Sequence, residues 1–155
     1  MVRDAGAMTR HQSKYDTDIL RWSEEQAELL RGVQAARINT RIDWDNIIEE
    51  VEEVGLSELR AVRSLILQAF VHDLKAQAWP ASRDVPKWQS DARLYRRQAK
   101  YSYAPSMAQR IELTRIYADA LEDMPTEIEG QKPQPVSQQC PATSVAEYLG
   151  IGRDS

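Results

Sequence analysis

No proline interrupts residues 15–79 of this chain, and only two glycines do, Gly32 and Gly55. All seven prolines come later, at Pro80, Pro86, Pro105, Pro125, Pro133, Pro135 and Pro141. Proline has no amide proton to give a helix interior or a central strand. The first half can therefore form long helices, while the second is cut into shorter ones. No segment alternates polar and apolar residues over the length of a strand. These features predict an all-α fold, a compact bundle of about five main helices plus a short C-terminal helix.

Apolar spacing places the helices. The first runs from about Asp16 to Arg31, with Asp16 or Thr17 as N-cap and Gly32 at its end. The second covers Asp43 to Val54. With Trp44 at 0° and about 100° per residue, Ile47, Ile48, Val51 and Val54 form a stripe centred near 330°. Gly55 then reads as a left-handed C-cap, and a third helix starts after Ser57 and runs to about Trp79, where Pro80 stops it. Helices two and three should thus form an antiparallel hairpin about Gly55. The fourth spans about Pro86 or Lys87 to Tyr101. The fifth spans Ser106 to Met124, with Ile111, Ala118 and Leu121 on one face. Ser144 and Glu147 have the spacing of a capping box, which predicts a last helix over Val145 to Leu149. The expected core is Trp44, Ile47, Val51, Val62, Ile66, Phe70 and Leu121.

With 155 residues, the chain suits about one domain. Residues 15–150 are expected to fold as that domain, between a disordered tail at 1–14 and a frayed end at 151–155. A hydrophobic fraction of 42% with 28% charged residues excludes a wholly disordered chain. No apolar run reaches the roughly 18 residues of a membrane span, and the N-terminal residues hold no secretory hydrophobic segment. Cys140 is the sole cysteine, which excludes an internal disulfide and a cysteine-rich zinc site. It precedes Pro141 in a loop, with no helix start or basic neighbour to activate it, and reads as inert. The expected setting is a bacterial-type cytoplasm. No phosphate-binding loop, dinucleotide glycine fingerprint, nucleophile elbow or H-E-x-x-H is present.

The segment from Ile42 through Asp43-Trp44-Asp45-Asn46 and Glu49-Glu50-Val51-Glu52 to Gly55 resembles the D-W-x-N and E-E signature of the bacterial family known as domain of unknown function 29. Tyr15-Asp16-Thr17-Asp18 with Trp22, and His72-Asp73-Leu74-Lys75, are similar to further stretches of that family. So are Trp88 with Arg93, Arg96 and Arg97, Pro105-Ser106, and Cys140-Pro141-Ala142-Thr143. The resemblance spans about Tyr15 to Leu149. Where the family often has Leu and Trp, this chain has Asp73 and Ala76. The resemblance implies an all-α fold and carries no activity.

Charge is unevenly laid out. From Asp43 to Glu58 there are seven acidic residues and no basic ones; from Arg83 to Arg110 there are seven basic residues against two acidic. Arg93, Arg96, Arg97 and Lys100 share one face of the fourth helix, opposite Trp88, Ala92, Tyr95 and Ala99. This pattern predicts a non-enzymatic interaction or regulatory module that offers its basic face to an acidic partner and carries no cofactor. The expected partner is another protein. Nucleic acid is the subordinate version, because the net charge of −4 disfavours non-specific duplex binding and the interleaved aromatics fall on the apolar face.

The alternative is a Mg²⁺-dependent nucleotide hydrolase that uses Glu49, Glu50, Glu52, Glu53 and Asp73 as metal ligands. The all-α nucleotide pyrophosphatases pair E-x-x-E on one helix with E-x-x-D on the next. Here Asp73 is present, but Phe70 stands three residues before it. Asp73 also falls among Ile66, Ala69 and Phe70, so it is expected to find an ion-pair partner on helix four or five.

Overall fold

The backbone leaves the helical region at Asp18, where φ is −154°. This separates one turn, α1 (Lys14–Thr17), from α2 (Ile19–Ala35). The Asp18 carboxylate accepts the Arg21 amide at 3.0 Å, so Asp18 caps α2 in place of Asp16 or Thr17. Gly32 does not end α2, which continues three residues beyond it to Ala35. The structure, a computed structural model, describes residues 13–36 and 41–152. Most of the expected N-terminal tail, and residues 153–155 of the expected frayed end, lie outside the described residues.

The largest departure from the sequence reading is α3, one uninterrupted helix over Trp44–Ala78. There is no hairpin at Gly55, and Gly55 is not among the glycines with positive φ. Its role is steric. A Cβ at Gly55 would stand 2.0 Å from Ser23 Oγ and 2.8 Å from the Leu20 Cα. Glycine is needed because α2 passes against the α3 backbone, not because the chain turns. The buried Ser23 hydroxyl donates to the Leu20 carbonyl at 2.9 Å, which satisfies it within its own helix.

Gly55 thus belongs to the buried stripe of α3, with Ile48, Leu59, Val62, Ile66, Ala69, Phe70, Leu74 and Ala78. Its inclusion turns the stripe away from the expected centre. Ile47 and Val54 are left exposed, Ile48 is buried, and Trp44, Val51 and Leu121 are half-buried. Val62, Ile66 and Phe70 are buried as expected.

Contacts divide the chain into two units, Met1–Gly55 and Leu56–Ser155. In the first, α2 and the start of α3 run antiparallel. Gly55 lies against Ser23, Arg31 pairs with Glu52 at 2.7 Å, and Gln34 donates to Asp45 at 2.7 Å.

The second unit holds the rest of α3, α4 (Val85–Ser102), a 3-10 turn (Pro105–Met107), α5 (Leu113–Glu122) and α6 (Val145–Leu149). The expected fifth helix is split. Ile111 and Leu113 are both buried while Glu112 between them is exposed, a two-residue alternation that a helix cannot provide. The buried face of α5 is Leu113, Ile116, Tyr117 and Ala120, and Ala118 is exposed. The last helix has its expected bounds. Ser144 Oγ accepts the Glu147 amide at 3.1 Å, and the Glu147 carboxylate accepts the Thr143 amide at 3.0 Å and hydroxyl at 2.7 Å.

The proline-containing segment after α5 is tied back to α3. Trp79 Nε1 donates to the Gln131 carbonyl at 2.9 Å, and the Gln134 amide donates to the Ala78 carbonyl at 2.8 Å. Glu129 and Gly130, both at positive φ, form the two central positions of a tight turn closed by reciprocal bonds between Ile128 and Gln131. Among the described residues the fold is all-α, with six α-helices, one 3-10 turn and no strand beyond that isolated bridge.

Candidate functional site

On α4, apolar Trp88, Ala92 and Ala99 are buried, while Arg93, Arg97 and Lys100 face solvent. Arg96 departs from this set. It turns inward and donates to Asp73 Oδ2 at 2.6 Å, both side chains being about two-thirds covered. This is the ion-pair partner that Asp73 requires. Along the same helix Lys87 pairs with Asp91 at 3.7 Å, and Lys100 Nζ donates to the Gly150 carbonyl at 3.3 Å. His72 Nδ1 meets the Gln68 carbonyl at 2.8 Å, and its ring lies 5.2 Å from that of Tyr95. Two further groups share the outer side of α4. Leu94 is partly exposed and Tyr101 is 93% exposed, with Leu65, Arg97, Gln98 and Ser102 beside it around a shallow hollow of about 490 Å³.

The carboxylates named for a metal do not gather. Glu49 and Glu50 are exposed, Glu52 is paired with Arg31, and Glu53 is half-buried. The four glutamates belong to the first unit and Asp73 to the second. Among the described residues, no group of three or more His, Cys, Asp and Glu side chains is arranged to hold a metal ion.

Asp73 instead opens onto a cleft of about 600 Å³ within the second unit. Its floor is one face of α3, with Phe70, Asp73, Leu74 and Gln77 at helical spacing. Gln89 of α4, Tyr117 of α5 and Tyr148 of α6 form its sides, and residues 137–141 with Cys140 form its roof. The Tyr117 hydroxyl donates to the Ser137 carbonyl at 2.5 Å and fastens that roof. The Phe70 ring meets Tyr117 edge-on at 5.1 Å and Tyr148 tilted at 4.5 Å.

Ionisation is perturbed around this cleft. Burial raises the Asp73 carboxyl above the usual carboxylate value, outweighing the Arg96 guanidinium that lowers it. Burial works against the Arg96 charge too, yet the neighbouring oxygens of Tyr148 and Asp73 hold it above its ordinary value. Burial pushes the Tyr148 phenol up to about 12, and raises that of Tyr117. The Tyr148 hydroxyl therefore stays protonated near neutral pH; its oxygen lies beside the Arg96 guanidinium, and its proton has no acceptor among the described residues. The sequence pattern marked Asp73 and Arg96 singly. It had no signal for Gln77, Gln89, Tyr117 and Tyr148, which come together only in the folded chain.

The fold and these surfaces define an all-helical protein that exposes a basic helix face and has a polar cleft beside it. The chain belongs to the family described as domain of unknown function DUF29, whose model matches residues 14–150. It is also similar to an α-helical protein of unknown function from Rhodospirillum rubrum, known from a crystal structure. The two share 27% identity over 92% of this chain and 91% of that one, with a TM-score of 0.75. No curated protein matches the chain. No helix among the described residues is long and apolar enough to cross a membrane.

Proposed function

We propose that this protein is a bacterial cytoplasmic interaction module, without a cofactor, that binds an acidic protein partner through the outer face of α4. One observation carries this reading. With Arg96 committed to Asp73, the cations Arg93, Arg97 and Lys100 remain exposed beside Leu94 and a Tyr101 ring that is 93% exposed. Tyrosine and arginine are the side chains that most often anchor protein interfaces, and a large ring held in water gains by being covered. The acidic partner follows from the sign of the charge. A nucleotide hydrolase is the less favoured reading, because Asp73 is paired with Arg96 and, among the described residues, no group of three or more His, Cys, Asp and Glu side chains is arranged to hold a metal ion.

The test is a photo-crosslinking residue at position 101 in the producing cell, followed by identification of the adduct. The expected adduct is an acidic protein, lost when Arg93, Arg97 and Lys100 are all changed to Glu. An adduct that survives the triple reversal would overturn the charge argument. Titration with single- and double-stranded nucleic acid at low salt is expected to show no binding. If duplex binding appeared with a log–log salt slope of about −3, nucleic acid would replace protein as the partner. Metal-dependent turnover in a nucleotide-hydrolysis screen would favour the hydrolase.

A further inference from the structure

We propose that the cleft beneath residues 137–141 binds a small, flat, uncharged molecule with a carboxamide, lactam or amidine-like edge, of the kind a nucleobase or an aromatic amide presents. The charge argument comes first. Among the described residues the only formally charged side chain lining the cleft is Asp73, and Arg96 already takes its Oδ2. Among the described residues no Lys, Arg or His lines the cleft, and the nearest guanidinium, that of Arg96, is already taken by Asp73, so a phosphate or carboxylate would enter without a free counter-charge. A cation drawn toward Asp73 would meet the guanidinium of Arg96 at the same carboxylate. The pair is balanced, and an uncharged ligand leaves it so.

Shape and hydrogen bonding narrow the ligand further. Phe70, Leu74 and Pro141 supply apolar surface, and the Tyr148 ring, tilted 39° against Phe70, supplies an aromatic face. Three carboxamides reach the cleft from three elements: Gln77 from α3, Gln89 from α4 and Gln139 from the roof. Each presents a donor and an acceptor in one plane, the arrangement that pairs with an amide or heterocycle edge. The buried Tyr148 hydroxyl adds a donor with no acceptor, and leaving such a group unmet is costly. A volume of about 600 Å³ lies within the range of small-molecule sites.

The experiment measures binding of simple probes to the full chain by calorimetry and ligand-observed NMR. Benzamide, uracil and adenine are the uncharged probes; benzoate and benzamidinium have the shape of benzamide with a negative or positive charge. At least one uncharged probe is expected to bind with a Kd of about 1 mM or tighter. Benzoate and benzamidinium should be at least about fivefold weaker than benzamide. Tyr148→Phe should weaken the bound probe about tenfold by removing the waiting donor. Gln89→Ala, an exposed position that leaves the core intact, should weaken it severalfold. Arg97→Glu should leave it unchanged, which separates this cleft from the outer face of α4. The proposal is overturned if no uncharged probe binds at several millimolar, if benzoate or benzamidinium matches benzamide, or if Gln89→Ala leaves affinity as it was. Should Tyr148→Phe fail to fold, Gln89→Ala alone decides.

Discussion

Arg96 of α4 donates to Asp73 of α3 across 2.6 Å, and so joins the helix that offers the basic face to the helix that floors the cleft. Both side chains keep about a third of their surface in solvent, so solvent screening limits the worth of the pair. Removing either partner should destabilise the protein by about 1–2 kcal/mol, because the other is left half-buried and unpaired. A double-mutant cycle of Arg96→Ala and Asp73→Asn in urea is expected to show coupling near 1 kcal/mol. Additive losses would mean that the two groups act independently.

The same carboxylate imposes a pH dependence. Because burial raises the Asp73 pKa above its ordinary 3.8, the folded chain holds this proton more tightly than the unfolded one. Its contribution to stability therefore falls as pH rises from the ordinary value through the raised one, and is constant above that. The stability of the wild type minus that of Asp73→Asn should decline over this window. Glu25, whose pKa is lowered by Lys14, acts with the opposite sign but is present in both proteins and cancels. A difference that instead grew with pH would contradict the burial-dominated shift.

The two helical glycines should respond in opposite ways to alanine. At Gly55 the new methyl would overlap Ser23 Oγ and the Leu20 backbone, so Gly55→Ala should cost about 2–3 kcal/mol despite its better helix propensity. At Gly32 nothing lies within 4 Å of the added Cβ, and Gly32→Ala should stabilise by up to about 1 kcal/mol. Thermal melts of the two variants check this directly. Equal responses would show that α2 does not approach α3 through Gly55.

Phe70 is 1% exposed and touches both tyrosine rings of the cleft. Phe70→Ala should cost about 3–5 kcal/mol in denaturant unfolding. A cost below about 1 kcal/mol would place the centre of the second unit elsewhere.

The length of proline-free chain, the apolar spacing and the Ser144–Glu147 pair were enough to determine an all-α fold, the bounds of α4 to within about two residues and the whole of α6. These rest on interactions between residues close in sequence, such as a cap hydroxyl with an amide three residues on, and proline's missing donor. Gly55 shows where local reasoning stops. A glycine after an apolar stripe looks the same whether it ends a helix or lets another helix pass, and only Ser23, thirty-two residues earlier, distinguishes the two. Once Gly55 is a packing residue, α3 runs on and Ile48 replaces Ile47 in the core. The acidic and basic runs were visible as composition, but the assignment of Arg96 to Asp73 and of the other cations to the surface required the packing of α3 against α4. The cleft depended on tertiary structure altogether. Its carboxamides, phenols and thiol come from four helices and a loop, and no short-range pattern brings together groups whose only relation is their distance in the folded chain.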